Sequence, residues 1–199
     1  VVGWFGFLQG VGAGVAIAIV LFVVNYSRIE IVKDTLTGIT YRSNMERPTE
    51  HRHLLQHKGG TIYILRLQGF IFFGTAQNFL NRVRERISST EQTKLRYLIL
   101  DFHNVSSLDS SAVQSFVRIK QLVEAKKIVL ILTDLSLNIK AIFEKDGLVD
   151  EKKSLRYFST LDYGMEWCET SLLTAEGTSS IIRAGTLQGQ LKRMFSSAA

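Results

Sequence analysis

YLILDFHNVSSLDSSAVQSFVRIKQLV, residues 97–123, sets an apolar run, a polar turn and a helical repeat of apolar positions in one short span. Tyr97, Leu98, Ile99, Leu100 and Phe102 form a nearly unbroken apolar run, the pattern of a strand covered on both faces. Asp101 is expected to end it. Beyond the turn, Ala112, Phe116, Ile119 and Val123 recur at helical spacing with Val113 and Val117 beside them, so a helix with one buried face is expected. Asp109, Ser110 and Ser111 stand between. A loop that leaves a strand and opens a helix presents free backbone N–H groups and a positive dipole end. It can cap itself, since Asp and Ser are favoured N-cap residues, or it can receive an anion or a phosphate.

Working outward, Gly59-Gly60 punctuates the chain and Thr61–Leu67 reads as a strand. In the next stretch, Gly69 and Gly74 suggest tight turns around a short apolar strand. Thr75 is placed to cap a helix carrying Phe79, Leu80, Val83 and Ile87 inward. A phosphate-cradling loop would need more glycines and a Lys. C-terminal to the central span, Ile128–Leu132 is another apolar strand, and Asp134 and Ser136 are placed to cap a helix with Ile139, Ile142 and Phe143 inside and Gly147 at its end. A strand near Leu155–Phe158 and a helix from about Thr160 to Leu173, burying Leu161, Met165, Cys168 and Leu172, complete the pattern. Alternation of strands and helices predicts an α/β domain.

At the other end, Val1–Val24 has no charged residue, and a helix of that length spans about 36 Å, which reads as a transmembrane helix. Gly6, Gly10, Gly14 and Ala18 recur every four residues and form a smooth stripe suited to packing against other membrane helices. Arg28, Lys33 and Arg42 follow, and positive charge past the helix places the rest in the cytoplasm. Between helix and domain, a short strand is expected around Ile39–Arg42, ending before Pro48. Of His51, His53 and His57 only the last two share a helical face, so a solvated connector helix is expected rather than a metal site. The N-x-S triplets at Asn25 and Asn104 read as chance matches.

The 199 residues, 46% of them hydrophobic, have room for one domain and an extra segment. The net charge of +6 is not gathered into one basic run with interleaved aromatics, so nucleic acid is not an expected partner. A single cysteine, Cys168, excludes an intrachain disulfide and is read as a small core residue. Trp167 and Tyr163 could stack on a ligand, with a core or docking role the commoner explanation. From Thr174 the composition turns to Gly, Ser and Thr, the mark of a linker, with Leu187–Phe195 a further amphipathic element.

The run LILDFHNVSSLDSSA resembles the signature of the STAS domain, shared by bacterial anti-sigma-factor antagonists and the cytosolic tails of SulP-type anion transporters. YILRLQGFIFFGTAQNFLNRV and LDYGMEWCE resemble the corresponding parts of the transporter-linked members. The resemblance implies a STAS fold, with a mixed four- to five-stranded sheet flanked by helices on one side. It also implies a division into a last transmembrane helix of a transporter core (1–26), a connector with a first strand (27–60), the STAS domain (61–173) and a flexible linker (174–199). In the antagonists the first serine after the Asp of this turn is phosphorylated, a position held here by Ser110. Ala112 stands where many antagonists have Gly, a departure that bears on the phosphorylation implied for Ser110 and leaves the fold resemblance intact.

The function implied is a regulatory, docking domain of a secondary carrier of sulfate or another inorganic anion. Its partners would be the membrane core of the same transporter, a second copy in a homodimer, and a regulatory protein or nucleotide at Asp109–Ser111. No cofactor and no enzymatic activity are expected. Two other readings stand beside it. A stand-alone phospho-switch protein would be soluble throughout, against the apolar start of the chain. A hydrolase could draw on Asp101, His103 and Ser110, but no G-x-S-x-G elbow accompanies them.

Overall fold

Alternation along the central strand sorts its side chains into two layers. The computed structural model describes residues 2–27, 30–89, 93–145, 148 and 154–175, and within the first helix the side chains of 6–22. In chain order these form α1 (Val2–Ser27), β1 (Val32–Thr37), α2 (Thr49–Lys58), a 3-10 turn (Gly59–Thr61), β2 (Ile62–Ile71), α3 (Phe73–Ser88), β3 (Tyr97–Leu108), α4 (Ser110–Ala125), β4 (Val129–Thr133), α5 (Leu137–Lys145), β5 (Leu155–Phe158) and α6 (161–175). The strands make one sheet in the order β1-β2-β3-β4-β5, β1 antiparallel to β2 and the rest parallel. This is the expected α/β mixed sheet, with five strands.

Leu98, Leu100 and Phe102 of β3 face α3, α4 and α5, where Phe79, Phe116 and Phe143 close the layer. Tyr97 and Ile99, one residue out of phase, face α6 and α2 and meet Met165, Cys168, Leu172 and Leu55. Helices therefore cover both faces, not the single face expected. The near-continuous apolar character of β3 and β4 is the sequence trace of that double cover. α4 buries Ala112, Val113, Phe116, Ile119 and Val123 as its periodicity predicts. Burial in the α6 layer raises the Cys168 thiol pKa well above its usual value, in keeping with a core residue. Trp167 packs edge-on against Tyr97 at 5.8 Å, with the Arg156 guanidinium 4.6 Å from its ring centre, whereas Tyr163 is exposed.

Several boundaries differ from expectation. Asp101 does not end its strand: β3 runs on to Leu108, because β2 pairs with it throughout and Val105 and Leu108 are buried. Gly69 and Gly74 do not bracket a separate strand. β2 is continuous through Gly69, whose φ of +74° sits at a register shift against β3, and Gly74 lies inside α3. The first strand falls at Val32–Thr37 rather than 39–42, where Thr40 and Tyr41 N–H instead close a turn on the Thr37 carbonyl. That turn is held by backbone contact: Gly38 N–H donates to the Gly59 carbonyl at 3.1 Å, and a Cβ on Gly59 would lie 2.6 Å from Gly38 backbone atoms. Thr75 acts at the start of α3 from inside its first turn, accepting from Phe72 N–H at 3.1 Å. Ser136 accepts weakly from Ile139 N–H at 3.4 Å, but Asp134 caps α6 instead, accepting from Leu161 N–H at 3.0 Å from a left-handed backbone of φ 56°. Gly147 and everything after residue 175, including Leu187–Phe195, lie outside the described residues.

α1 is an unbroken helix of 26 residues. Among the described residues no helix is long and apolar enough to cross a membrane, so the expected transmembrane helix is not supported. The described side chains of α1 are exposed, from Val11 at 47% to Phe7 at 73% among the large apolar ones. Ala18 is exposed, and a Cβ added at Gly6, Gly10 or Gly14 meets nothing within 4 Å, so the stripe is open.

Candidate functional site

Two polar sites lie along β3. The first is the expected loop. Asp109 sits at the N-cap of α4 in extended conformation, Ser110 is the first helical residue, and Asp109, Ser110 and Ser111 are all exposed. The loop is fixed from below: Asp109 N–H donates to the Ile71 carbonyl and Ala112 N–H to the Asp109 carbonyl, both at 2.9 Å. The Ser111 hydroxyl donates to Asp109 Oδ2. This draws the carboxylate sideways, and Asp109 makes no side-chain cap to the α4 backbone. The helix therefore opens with its dipole end uncapped by that side chain and the Ser110 hydroxyl at the surface.

The Asp109–Ile71 hydrogen bond also sets the start of α3 beside the start of α4. Phe70, at the end of β2, is 44% exposed and Phe73, opening α3, is 58% exposed. The Phe70 and Phe72 rings stack at 6.3 Å. Aromatic groups of 150–250 Å² carry much of the energy in interfaces, so the exposed Phe70 and Phe73 give the Ser110 loop an apolar flank. Sequence reading did not single it out, because GFIFFG reads equally well as a buried strand.

The second site is centred on Asp101, buried to 2% exposure. Its Oδ1 accepts from the Thr133 hydroxyl at 3.2 Å and His103 N–H at 3.3 Å, and its Oδ2 lies 3.5 Å from Arg66 Nε. Arg66 also reaches Asp34 at 3.4 Å, and His103 Nδ1 lies 3.5 Å from Asp134 Oδ1. Burial raises the Asp101 carboxyl above the ordinary carboxylate range; the His103 N–H works against that, Asp134 adds to it, and Thr133 and Arg66 oppose it. Tyr41 is raised too, first by burial and then by Asp162. Asp101 and His103 do not meet Ser110: five residues of β3 from His103 to Leu108 take about 17 Å. The structure thus separates the three groups a hydrolase would draw on. His51, His53 and His57 are exposed on α2, and among the described residues no three His, Cys, Asp or Glu are grouped to hold a metal ion.

The family pattern of the STAS domain matches residues 54–163. The vacuolar basic amino acid transporter VSB1 of Saccharomyces cerevisiae is 32% identical over 179 residues, which are 86% of this chain and 17% of that protein. The chain therefore spans about a sixth of the length of that relative. Among solved structures, the STAS domain of a SulP transporter from Vibrio cholerae is 18% identical, with a TM-score of 0.48 over 63% of this chain and 97% of that one. The anti-sigma factor antagonist SpoIIAA in its unphosphorylated form is 18% identical, with a TM-score of 0.47 over 56% of this chain and 90% of that one.

Proposed function

Because the chain belongs to the STAS domain family, we propose that it is the regulatory docking domain of a membrane transporter, with the Ser110 loop and its aromatic flank as the surface that engages the transport core. The observation that carries this reading is the bare pair Phe70 and Phe73 beside an exposed serine at an uncapped helix start. An apolar patch supplies contact area, and a serine at its edge supplies a means of changing that contact. Phosphorylation of Ser110 adds about two negative charges there, favoured by the α4 dipole and opposed by Asp109. The effect falls on docking rather than on folding, since Ser110 is exposed and Ala112, two residues on, is buried.

α1 supports a membrane location. Val2–Ser27 holds no charged residue, and its exposed Phe7, Leu8, Ile17 and Phe22 need apolar cover that water does not give. On this reading α1 is the last helix of the membrane core, residues after about 26 are cytoplasmic, and a second copy or a nucleotide acts through the same loop. Two cargo classes follow, inorganic anions from the STAS–SulP resemblance and basic amino acids from the name of the yeast relative.

The test is uptake of labelled sulfate and labelled arginine into vesicles bearing the transporter that contains this domain. The variants are Ser110→Asp, Ser110→Ala and Phe70→Ser/Phe73→Ser, each checked for membrane abundance. A change of severalfold in uptake with Ser110→Asp and with the phenylalanine pair, at equal abundance, supports the reading. Uptake unchanged by all three, or a chain recovered without membranes, overturns it. That last result would favour the stand-alone phospho-switch.

A further inference from the structure

Residues 41–48 lie as a strap along α6. Ser43 donates from its N–H to Glu169 Oε1 at 3.1 Å and from its hydroxyl to Oε2 at 2.6 Å, and Arg47 Nε donates to Oε2 at 3.0 Å. Between the strap, α2 and α6 is a cavity of about 430 Å³, lined by Arg42, Arg47, Arg52, Glu46, Glu169 and Leu55. That volume falls in the range of small-molecule sites, roughly 300–1,000 Å³.

Its arginines are in two states. Arg47, with a side chain 9% exposed, is committed to Glu169, the Glu166 carbonyl and the Thr170 hydroxyl. Arg42 and Arg52, among the described residues, have no carboxylate within ion-pair distance; Arg52 makes one long hydrogen bond, 3.4 Å, to Thr49. Both guanidiniums line one cavity with donors left over, Arg42 half-buried and Arg52 exposed, so each can donate to an anion placed there. A planar guanidinium fork suits phosphate or carboxylate oxygens. With Arg47 paired to Glu169, Arg42 and Arg52 against Glu46 leave the lining with a net positive charge, which favours an anion such as a phosphate monoester. Leu55 offers a wall to carbon, and the solvated Glu46 carboxylate can accept from hydroxyl groups.

We propose that this cavity binds a phosphorylated small metabolite, its phosphate held between Arg42 and Arg52. Bound there, the ligand ties the strap and α2 to α6, on the opposite face of the sheet from α4 and apart from the Ser110 loop. The inference does not rest on the docking reading.

Titration calorimetry on the full chain in detergent micelles tests it, with glucose 6-phosphate, AMP and inorganic phosphate as separate probes. Saturable binding of either organic probe is expected, weakened tenfold or more by Arg42→Gln and by Arg52→Gln. Arg118→Gln on α4, across the sheet, controls for net charge and is expected to bind as the parent chain does. Both cavity variants are expected to keep the parent unfolding midpoint, since among the described residues neither side chain holds an ion pair. Absence of saturable binding by both organic probes, uptake of inorganic phosphate alone, or equal weakening by Arg118→Gln overturns the proposal.

Discussion

Glu169, 2% exposed, receives Arg47 Nε at 3.0 Å and two donations from Ser43, so one buried carboxylate gathers three of the contacts that hold the strap on α6. Burying an ion pair carries a desolvation cost that the pairing offsets, but removing one partner leaves the other charge buried alone. Glu169→Ala is therefore expected to lower stability by about 3–5 kcal/mol, and Arg47→Met with Glu169→Leu by much less. Denaturant unfolding of the two variants measures the difference; equal losses would refute the buried-charge account.

Asp101 makes stability depend on pH. Its folded carboxyl holds a proton more readily than the unfolded one, chiefly through burial. The contribution is thus fully present below the unfolded carboxylate pKa and is lost as pH rises through the folded value. Asp101→Asn keeps an acceptor for the Thr133 hydroxyl and carries no charge. Relative to the parent, this variant is expected to melt higher at pH 7 than at pH 4. A melting difference that stays constant between the two pH values contradicts the assignment.

Adjacent glycines are expected to respond unequally to an added methyl group. At Gly59 an added Cβ would meet Gly38 backbone at 2.6 Å, whereas at Gly60 the nearest atom is Thr93 Oγ1 at 3.5 Å. Gly59→Ala forces the turn after β1 away from the 3-10 turn, and a loss of about 1–3 kcal/mol is expected, as for other overpacked sites. Gly60→Ala is expected to lie within about 0.5 kcal/mol of the parent. Unfolding midpoints of the pair decide it.

Phe116 stands at the centre of an aromatic cluster, with ring centres 5.9 Å from Phe79, 5.7 Å from Phe102 and 5.5 Å from Phe143. Phe116→Ala is expected to cost about 3–5 kcal/mol through lost burial and the cavity left behind. Phe73→Ala, at an exposed ring, is expected to cost under about 1 kcal/mol while weakening docking. Thermal unfolding separates these two uses of the same residue type.

Elements whose side chains are buried by their own periodicity were legible in the sequence. The α4 face, the β4 run and the α6 set Leu161, Met165, Cys168 and Leu172 fall where their spacing puts them. What was missed depends on partners distant in sequence. Asp101 reads as a strand terminator because a lone carboxylate breaks an apolar run; Thr133, 32 residues on, and Arg66 on β2 are what let it stay inside. Asp134 reads as the cap of the next helix, yet it serves a helix 27 residues away. The strand–turn–helix junction at Ser110 was legible, but its aromatic flank was not, since it is the Asp109 N–H to Ile71 carbonyl hydrogen bond between distant segments that sets the start of α3 beside it. Glu169 was passed over for the same reason: MEWCE shows a carboxylate on a helix, not the strap that closes over it.

β1 gives the sheet a mechanical polarity. It is an edge strand, the one antiparallel member of the sheet, and the chain from α1 enters the domain through it. Tension along that connection loads a single ladder from its Val32 end, beginning where the register against β2 shifts between Val32 and Asp34. The Gly38–Gly59 backbone clasp stands at the far end of the ladder, followed by the strap on α6. A movement arriving from α1 is therefore expected to peel β1 first, while β3 and the serine loop it carries keep their pairing with β2.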